Sequence, residues 1–117
     1  MELLLMRHAQ TESGASYADD SLRPLTPDGE RIQERVAHSL RQLGCMPNRI
    51  FCSPRLRAGQ TAKITAEGLG YTGEVEELRI LDGGYQVDVL VDYFTGCEAD
   101  DSILCIGHEP DMSTWLN

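Results

Sequence analysis

The sequence predicts an α/β protein, a three-layer α/β/α sandwich with a mainly parallel central sheet. Short apolar runs alternate along the chain with longer segments of helical periodicity, and Gly or Pro residues separate them. This alternation is typical of parallel strands covered by helices on both faces. With 117 residues, the chain is predicted to form one domain over residues 1–117, whose core needs no metal or disulfide to fold.

Four short segments are the strand candidates. Residues 2–6 (ELLLM) and 102–106 (SILCI) are continuous apolar runs, which are typical of buried strands. Residues 49–52 (RIFC) are a shorter apolar run, and residues 74–78 (EVEEL) alternate between polar and apolar positions. The segment 9–23 after the first run is polar and is predicted to be a loop.

The first helix has clear start and stop signals. Thr26 is suited to the N-cap, Pro27 to the first helical position, and Gly44 to the stop. Its predicted buried stripe follows helical spacing and consists of Ile32, Val36, Leu40 and Leu43.

The second helix is predicted from a repeat of the cap-plus-proline signal. Ser53 is expected to cap it, Pro54 to open it, and the helix to run to about Gly68. A third helix is expected over 87–94, and Pro110 is a possible start for a last one.

Charge and cysteine content exclude several function classes. The formal net charge of −9 opposes binding to nucleic acid and to anionic membrane surfaces. No apolar run approaches the ~20 residues that span a bilayer. The four cysteines do not form a dense framework of the secreted kind, so a reduced cytoplasmic protein is expected.

Basic and imidazole side chains follow three of the predicted strands. The first strand ends in Arg7 and His8, the second is followed by Arg55 and Arg57, and the fourth ends before His108. In a parallel sheet these strand ends meet at one edge, where ligands bind. Guanidinium groups match phosphate oxygens, and a neutral imidazole can attack phosphorus. Of Arg55 and Arg57, two positions apart on a helix, only one is expected to aim at the site.

Two other chemistries are weaker. A metal site could combine Cys105 and His108 with His8 and Cys52, but neighbouring Arg side chains would repel a cation. A Ser-His-Asp hydrolase is disfavoured because Ser53 precedes Pro and no Gly-x-Ser-x-Gly elbow is present. We therefore expect phosphoryl transfer through His8, with no metal and no cofactor.

Four motifs in order resemble those of the histidine phosphatase (phosphoglycerate mutase-like) superfamily. Residues 5–9 (LMRHA) resemble its Arg-His-Gly signature, and residues 53–61 (SPRLRAGQT) resemble its second motif. Residues 107–110 (GHEP) resemble the motif with the second histidine. Residues 22–29 (LRPLTPDG) resemble a segment of the SixA-type phosphohistidine phosphatases.

The resemblance implies a role for each matching residue. His8 would be the phosphorylated nucleophile, and the phosphate pocket would consist of Arg7, Arg57 and His108. Arg23 would reach the site from the loop. In larger family members an acidic residue after the third strand protonates the leaving group. Glu77 sits near that place in this sequence, with Glu76 as the alternative.

The departures from the family pattern concern Ala9 and length. Ala9 replaces the usual Gly, which would strain the backbone only if that position needs a positive φ. Family members normally continue for some tens of residues past the third motif, so residues 1–117 are expected to be a domain truncated at its C-terminus.

Three functions fit the resemblance. The first is a phosphatase that acts on a protein carrying phosphohistidine, whose P–N bond is labile once the ring is protonated. The second is a small-molecule phosphomonoesterase or mutase, which would depend more on Glu77. The third is a catalytically weak module that binds phosphate or another oxyanion.

Overall fold

The structure, a computed structural model, describes residues 2–83, 87–96 and 101–108. Its strands are β1 (Glu2–Arg7), β2 (Arg49–Cys52), β3 (Val75–Glu77) and β4 (Ser102–Gly107). Its α-helices are α1 (Pro27–Gln42), α2 (Leu56–Leu69) and α3 (Val87–Tyr93), and 3-10 turns cover Gly14–Ser16, Asp20–Leu22 and Arg79–Asp82. No helix within these three ranges is long and apolar enough to span a membrane.

The sheet is parallel, as predicted, and its strand order is β1-β4-β2-β3. The predicted fourth strand is therefore central, and it pairs with both β1 and β2. In the register, Arg7 lies opposite Gly107 and Cys52 opposite Ile106. The carboxyl ends of these three strands consequently finish side by side, which places the residues that follow them at one edge.

Helices cover both faces of the sheet, which confirms the three-layer sandwich. Alternate residues of each strand point to opposite faces. On one face α2 and the end of α1 cover Ile50, Cys52, Leu104 and Ile106. On the other face α3 and the 3-10 turn over Arg79–Asp82 cover Phe51, Ile103 and Cys105. Both cores extend to the strand ends, so the edge of the sheet rests on packed layers.

The predicted buried stripe of α1 is wrong for three of its four residues, and the fourth, Leu40, is partly buried against the core. Ile32, Val36 and Leu43 are exposed, whereas the helix buries Gly29, Gln33 and Ala37. Small residues let α1 and α2 approach closely, since a Cβ added at Gly68 of α2 would touch the Cβ of Ala37. Gln33 donates a hydrogen bond across this contact to Thr65 at 2.8 Å. Helical spacing gave the period correctly, but the contact with α2 selects a neighbouring stripe.

The loop before α1 is fixed at several points. Thr26 caps α1 as predicted and accepts a hydrogen bond from the backbone of Gly29 at 2.8 Å. Any side chain at Gly29 would collide with the Gln10 carbonyl. The backbone N–H of Leu25 donates to the Gln60 side chain on α2 at 2.8 Å. The contact with Gln60 holds the end of the loop against α2, beside the sheet edge.

Candidate active site

The two predicted histidines meet at the carboxyl edge of the sheet. The backbone N–H of His8 donates to the Gly107 carbonyl at 3.1 Å, which extends the pairing of β1 with β4. The imidazole rings of His8 and His108 lie 5.1 Å apart between centroids, tilted by 58°. The strand order explains the meeting, because β1 and β4 are direct neighbours although 100 residues separate the two histidines in the chain.

Backbone groups alone orient the His8 ring. Its Nδ1 lies 2.7 Å from the carbonyl oxygen of Ala9, so Nδ1 carries the hydrogen and donates it. The lone pair is then on Nε2, which is the tautomer that a nucleophile needs. Ala9 itself is held by a hydrogen bond from its N–H to Thr61 at 3.0 Å. Its φ is not positive, so Ala in place of Gly causes no strain here.

The pKa of His8 is lowered from its ordinary value. Partial burial is the largest cause, because it disfavours the charged imidazolium. The hydrogen bond to Ala9 acts in the opposite direction, and the positive charges of Arg57, Arg7 and Arg23 lower the pKa further. His8 is therefore a neutral imidazole at neutral pH.

His108 is more deeply buried and is held by side chains. Its Nε2 lies 2.7 Å from the hydroxyl of Ser53, which in turn donates to the carboxylate of Asp82 at 3.3 Å. The single hydroxyl hydrogen of Ser53 points to Asp82, so the imidazole Nε2–H donates to Ser53. Burial, followed by the charges of His8, Arg57 and Arg55, lowers the pKa of His108 to about 4.

Ser53 does not cap α2, contrary to the prediction. The helix begins at Leu56, its N-cap is Arg55, and no side chain caps it. The Ser53 hydroxyl instead accepts the backbone N–H of Arg55 at 3.3 Å and the imidazole of His108. The residue is fully buried. The cap-like sequence signal thus marks a serine that holds the second histidine.

Asp82 is a site residue that the sequence did not reveal. It ends the 3-10 turn after β3, and its carboxylate accepts a hydrogen bond from Arg55 Nε at 2.5 Å. One of its oxygens also lies 3.9 Å from His108 Nε2. Arg55 therefore ties the start of α2 to the turn after β3. The charge of Arg57 acts on both histidines, whereas that of Arg55 acts on His108.

Arg57 is buried in the first turn of α2, with 6% of its surface exposed. Its two terminal nitrogens bind Asp20 of the loop: Nη1 donates to the backbone carbonyl at 2.8 Å and Nη2 to the carboxylate at 3.0 Å. Its Nε is buried and has no protein partner in the described part of the chain, and the same holds for Nδ1 of His108. The unsatisfied Nε–H of Arg57 fits a site that binds an oxyanion, and Nδ1 of His108 would fit it once it carries a hydrogen.

Arg23 contacts the same aspartate as Arg57. Its Nη1 donates to the Thr11 hydroxyl at 2.9 Å, and its Nε lies 3.1 Å from the other carboxylate oxygen of Asp20. The Nε–H is not aligned for a hydrogen bond, so the contact with Asp20 is an ion pair. The positive charge of Arg23 contributes to the lowered pKa of His8.

Arg7 is exposed at the end of β1 and borders an open cleft of about 330 Å³. The cleft is lined by Arg7, His8, Ala9, Gln10 and Thr11. His8 thus lies at this cleft, and the positive charges of Arg57, Arg7 and Arg23 act on its ring. A substrate larger than a phosphoryl group has room to approach His8 from the cleft.

Glu77 and Glu76 are the acidic residues that the sequence predicted for the site. Both are exposed on the edge strand β3, and Glu76 pairs with Arg49 at 3.2 Å. Within the described ranges, Glu77 makes no hydrogen bond or ion pair with His8, Arg57 or His108. The acidic group after β3 that approaches His108 is Asp82.

The cysteines considered as metal ligands are buried thiols. Burial raises the pKa of Cys52 to about 11 and that of Cys105 to about 12, so both stay protonated. In residues 2–83, 87–96 and 101–108, no three His, Cys, Asp or Glu side chains are grouped so that they could hold a metal ion.

Comparison with known proteins finds similar sequences over most of the chain. The sequence model of the family described as histidine phosphatase superfamily (branch 1) matches residues 3–83. An uncharacterised protein of Picosynechococcus sp. (strain PCC 7002) is 37% identical over 98% of this chain and 70% of its own length. Phosphohistidine phosphatase SixA of Escherichia coli (strain K12) is 31% identical over 94% of this chain and 68% of its own length.

A solved structure has a fold similar to that of this chain. The protein histidine phosphatase SixA complexed with tungstate superimposes with a TM-score of 0.88 at 28% identity. The match covers 99% of this chain and 74% of that chain. The common part therefore includes the whole sheet described above.

Proposed function

This chain belongs to the histidine phosphatase superfamily (branch 1), as a SixA-type member, and we propose that it removes phosphoryl groups from phosphohistidine in proteins. The reaction would pass through a covalent phosphohistidine on His8. The observation that carries the proposal is the tautomer of His8. Its Nδ1–H is committed to the Ala9 carbonyl, which leaves the Nε2 lone pair free next to the arginine cluster.

In the first step, His8 Nε2 attacks the phosphorus atom of the substrate. An Nε2–P bond forms, the P–N bond of the substrate breaks, and the bonding electron pair stays on the departing imidazole. The Nδ1–H bond to Ala9 shares the positive charge that develops on the His8 ring. A neutral nucleophile is required, and the lowered pKa of His8 keeps it neutral.

The roles of the surrounding cations follow from their position. Arg57 and Arg7 would bind the phosphoryl oxygens and stabilise their charge in the transition state. Arg23 would contribute from the loop. His108 would donate Nδ1–H to a phosphoryl oxygen once the bound dianion has raised its pKa. Its Nε2–H continues to donate to the Ser53 hydroxyl, which donates to the carboxylate of Asp82.

In the second step, water attacks the phosphohistidine on His8. The Nε2–P bond breaks, the electron pair returns to Nε2, and inorganic phosphate forms. The open cleft beside His8 gives water access from the side on which the first leaving group departed. No redox partner or cofactor takes part in either step.

The site chemistry favours a P–N over a P–O substrate. A sugar alkoxide must be protonated as it leaves, which calls for an acid near neutral pKa. In this proposal the Nδ1–H of His108 is donated to a phosphoryl oxygen, and Glu77 lies exposed on β3, so neither group supplies a proton to the leaving oxygen. Phosphohistidine protonated on its distal ring nitrogen leaves as neutral imidazole and needs no proton at the leaving atom. The similarity to SixA of E. coli supports the same substrate class.

The test combines trapping with substrate choice. The protein is mixed briefly with a phosphohistidine-bearing protein, and acid-labile phosphate is mapped by mass spectrometry in wild type, His8→Ala and His38→Ala. His38, exposed on α1, is the matched control and should behave as wild type. We expect label on His8 and loss of activity by at least about 10⁴-fold in His8→Ala. Equal rates in wild type and His8→Ala would refute the mechanism, and faster turnover of sugar phosphates would refute the substrate.

A further inference from the structure

Asp20 occupies an unusual position for an acidic residue in a site that binds anions. Its carboxylate contacts three guanidinium groups, with distances of 3.1 Å to Arg23, 2.6 Å to Arg55 and 3.0 Å to Arg57. Its backbone carbonyl accepts a further hydrogen bond from Arg57 at 2.8 Å. The side chain is half-exposed, so solvent and ligands can reach it.

These contacts imitate those of a phosphoryl group. Arginine forks bind carboxylate and phosphate oxygens with the same geometry. The hydrogen bond from Arg57 and the charges of Arg57, Arg23 and Arg55 lower the pKa of Asp20, so the group stays ionised. The arginine cluster thus already carries one internal anion before any ligand arrives.

The charge balance of the cluster shows what this anion does. The groups joined by ion pairs are Arg23, Arg55 and Arg57, with three positive charges, and Asp20 and Asp82, with two negative ones. Without Asp20 these groups would carry one more net positive charge and would hold a dianion more tightly.

We propose that Asp20 is an internal anion that weakens the binding of free oxyanions, so that the phosphate product leaves and substrates that add contacts outside the phosphoryl group are preferred. Its effect acts through Arg57 and Arg23, so Asp20 is a positioning and specificity residue and takes no part in the bond changes. The inference deepens the proposed phosphatase function and rests on it for the identity of the product. The effect on oxyanion affinity itself does not depend on the substrate.

Geometry and charge can be separated by substitution. Asp20→Asn keeps the backbone carbonyl on Arg57 and one side-chain oxygen, but it removes the charge. Asp20→Glu keeps the charge. Asp19→Asn is the matched control, since Asp19 is the neighbouring exposed carboxylate and binds Ser21 instead of an arginine. Circular dichroism and thermal unfolding establish that each variant is folded.

The measurement is tungstate affinity by calorimetry at constant ionic strength, with the inhibition constant of inorganic phosphate as a second readout. We expect Asp20→Asn to bind tungstate roughly tenfold more tightly than wild type at low salt, with a smaller gain at high salt. Asp20→Glu and Asp19→Asn should stay within about threefold of wild type.

The outcomes are decisive in both directions. Tighter binding by Asp20→Asn with unchanged Asp19→Asn supports the internal anion. Equal or weaker binding by Asp20→Asn overturns it, and so does the absence of tungstate binding in every variant. If Asp20→Asn binds more tightly but phosphohistidine is not hydrolysed by wild type, the proposed substrate fails and the role of Asp20 stands.

Discussion

The ends of β1 and β4 lie side by side, but they hold their histidines in different ways. The His8 ring is fixed by the carbonyl of the next residue, Ala9, at 2.7 Å. The His108 ring is fixed by Ser53, which is 55 positions away in the chain and is backed by Asp82. The orientation of the nucleophile is thus local, whereas that of the second histidine depends on three separate elements of the fold.

This difference has a functional consequence. The Ala9 carbonyl belongs to the backbone, so no side-chain substitution removes the group that sets the tautomer of His8. The contacts that orient His108 come from side chains. Ser53 contacts Asp82, Asp82 contacts Arg55, and Arg55 also contacts Asp20. A continuous chain of polar contacts therefore joins the loop before α1 to His108, and His108 can be disturbed without touching His8.

The largest expected effect comes from removing the second histidine itself. His108→Gln should lower kcat/KM by about a hundredfold or more, because a donor to the phosphoryl oxygens is lost. The phosphoenzyme on His8 should still form, only more slowly, since His8 keeps its own backbone contact. Rapid-quench single-turnover kinetics measure the rate of its formation. Wild-type kinetics in this variant would show that His108 has no role in the reaction.

Two separate substitutions compare directly the contacts that orient His108 and His8. Ser53→Ala removes the hydroxyl that binds His108 and should lower kcat by roughly tenfold, in line with one lost positioning hydrogen bond. Ala9→Gly keeps the carbonyl that binds His8 and should change kcat less than about twofold. Steady-state kinetics of both variants provide the comparison, and a larger effect for Ala9→Gly would reverse the assignment.

The smallest effect concerns pH. Both histidines have pKa values lowered from the ordinary 6.5, that of His108 to about 4, so both are mostly neutral at pH 6.5 and above. A neutral His8 is the active form, so activity lost through its protonation should appear only below pH 6.5. NMR titration of the two imidazoles in the free protein is the direct measurement. A His8 pKa at or above 6.5 would contradict the burial and the arginine charges described here.

Local signals predicted the regular elements well. The apolar runs at 2–6, 49–52, 74–78 and 102–106 each contain or closely match a strand, because continuous or alternating apolar residues act within a few positions. Thr26 caps α1 as expected, because a cap needs only the next three residues. The face of α1 could not be predicted in this way, since Ala37 is buried only by its contact with Gly68 of another helix.

The residues of the candidate site also fall into two groups, those with a local sequence signal and those identified only by long-range contacts. His8, Arg57, Arg23 and His108 could be selected because strand ends and the family motifs mark them. Asp20 and Asp82 could not, because an isolated Asp in a polar segment has no local signature. Their partners Arg55 and Arg57 are 27 to 37 positions away. Ser53 carried a signal that fits a helix cap, and only its buried contact with His108 shows otherwise.

The sequence by itself determined the layers, the parallel sheet and the types of side chain at its edge. These follow from periodicity and from the residues at each strand end, which are local properties. The tertiary structure alone decided which groups meet: β4 between β1 and β2, Asp20 on three arginines, and Ser53 with Asp82 behind His108. Such contacts join residues far apart in the chain, and only the packing of the strands and turns brings their atoms within hydrogen-bonding distance.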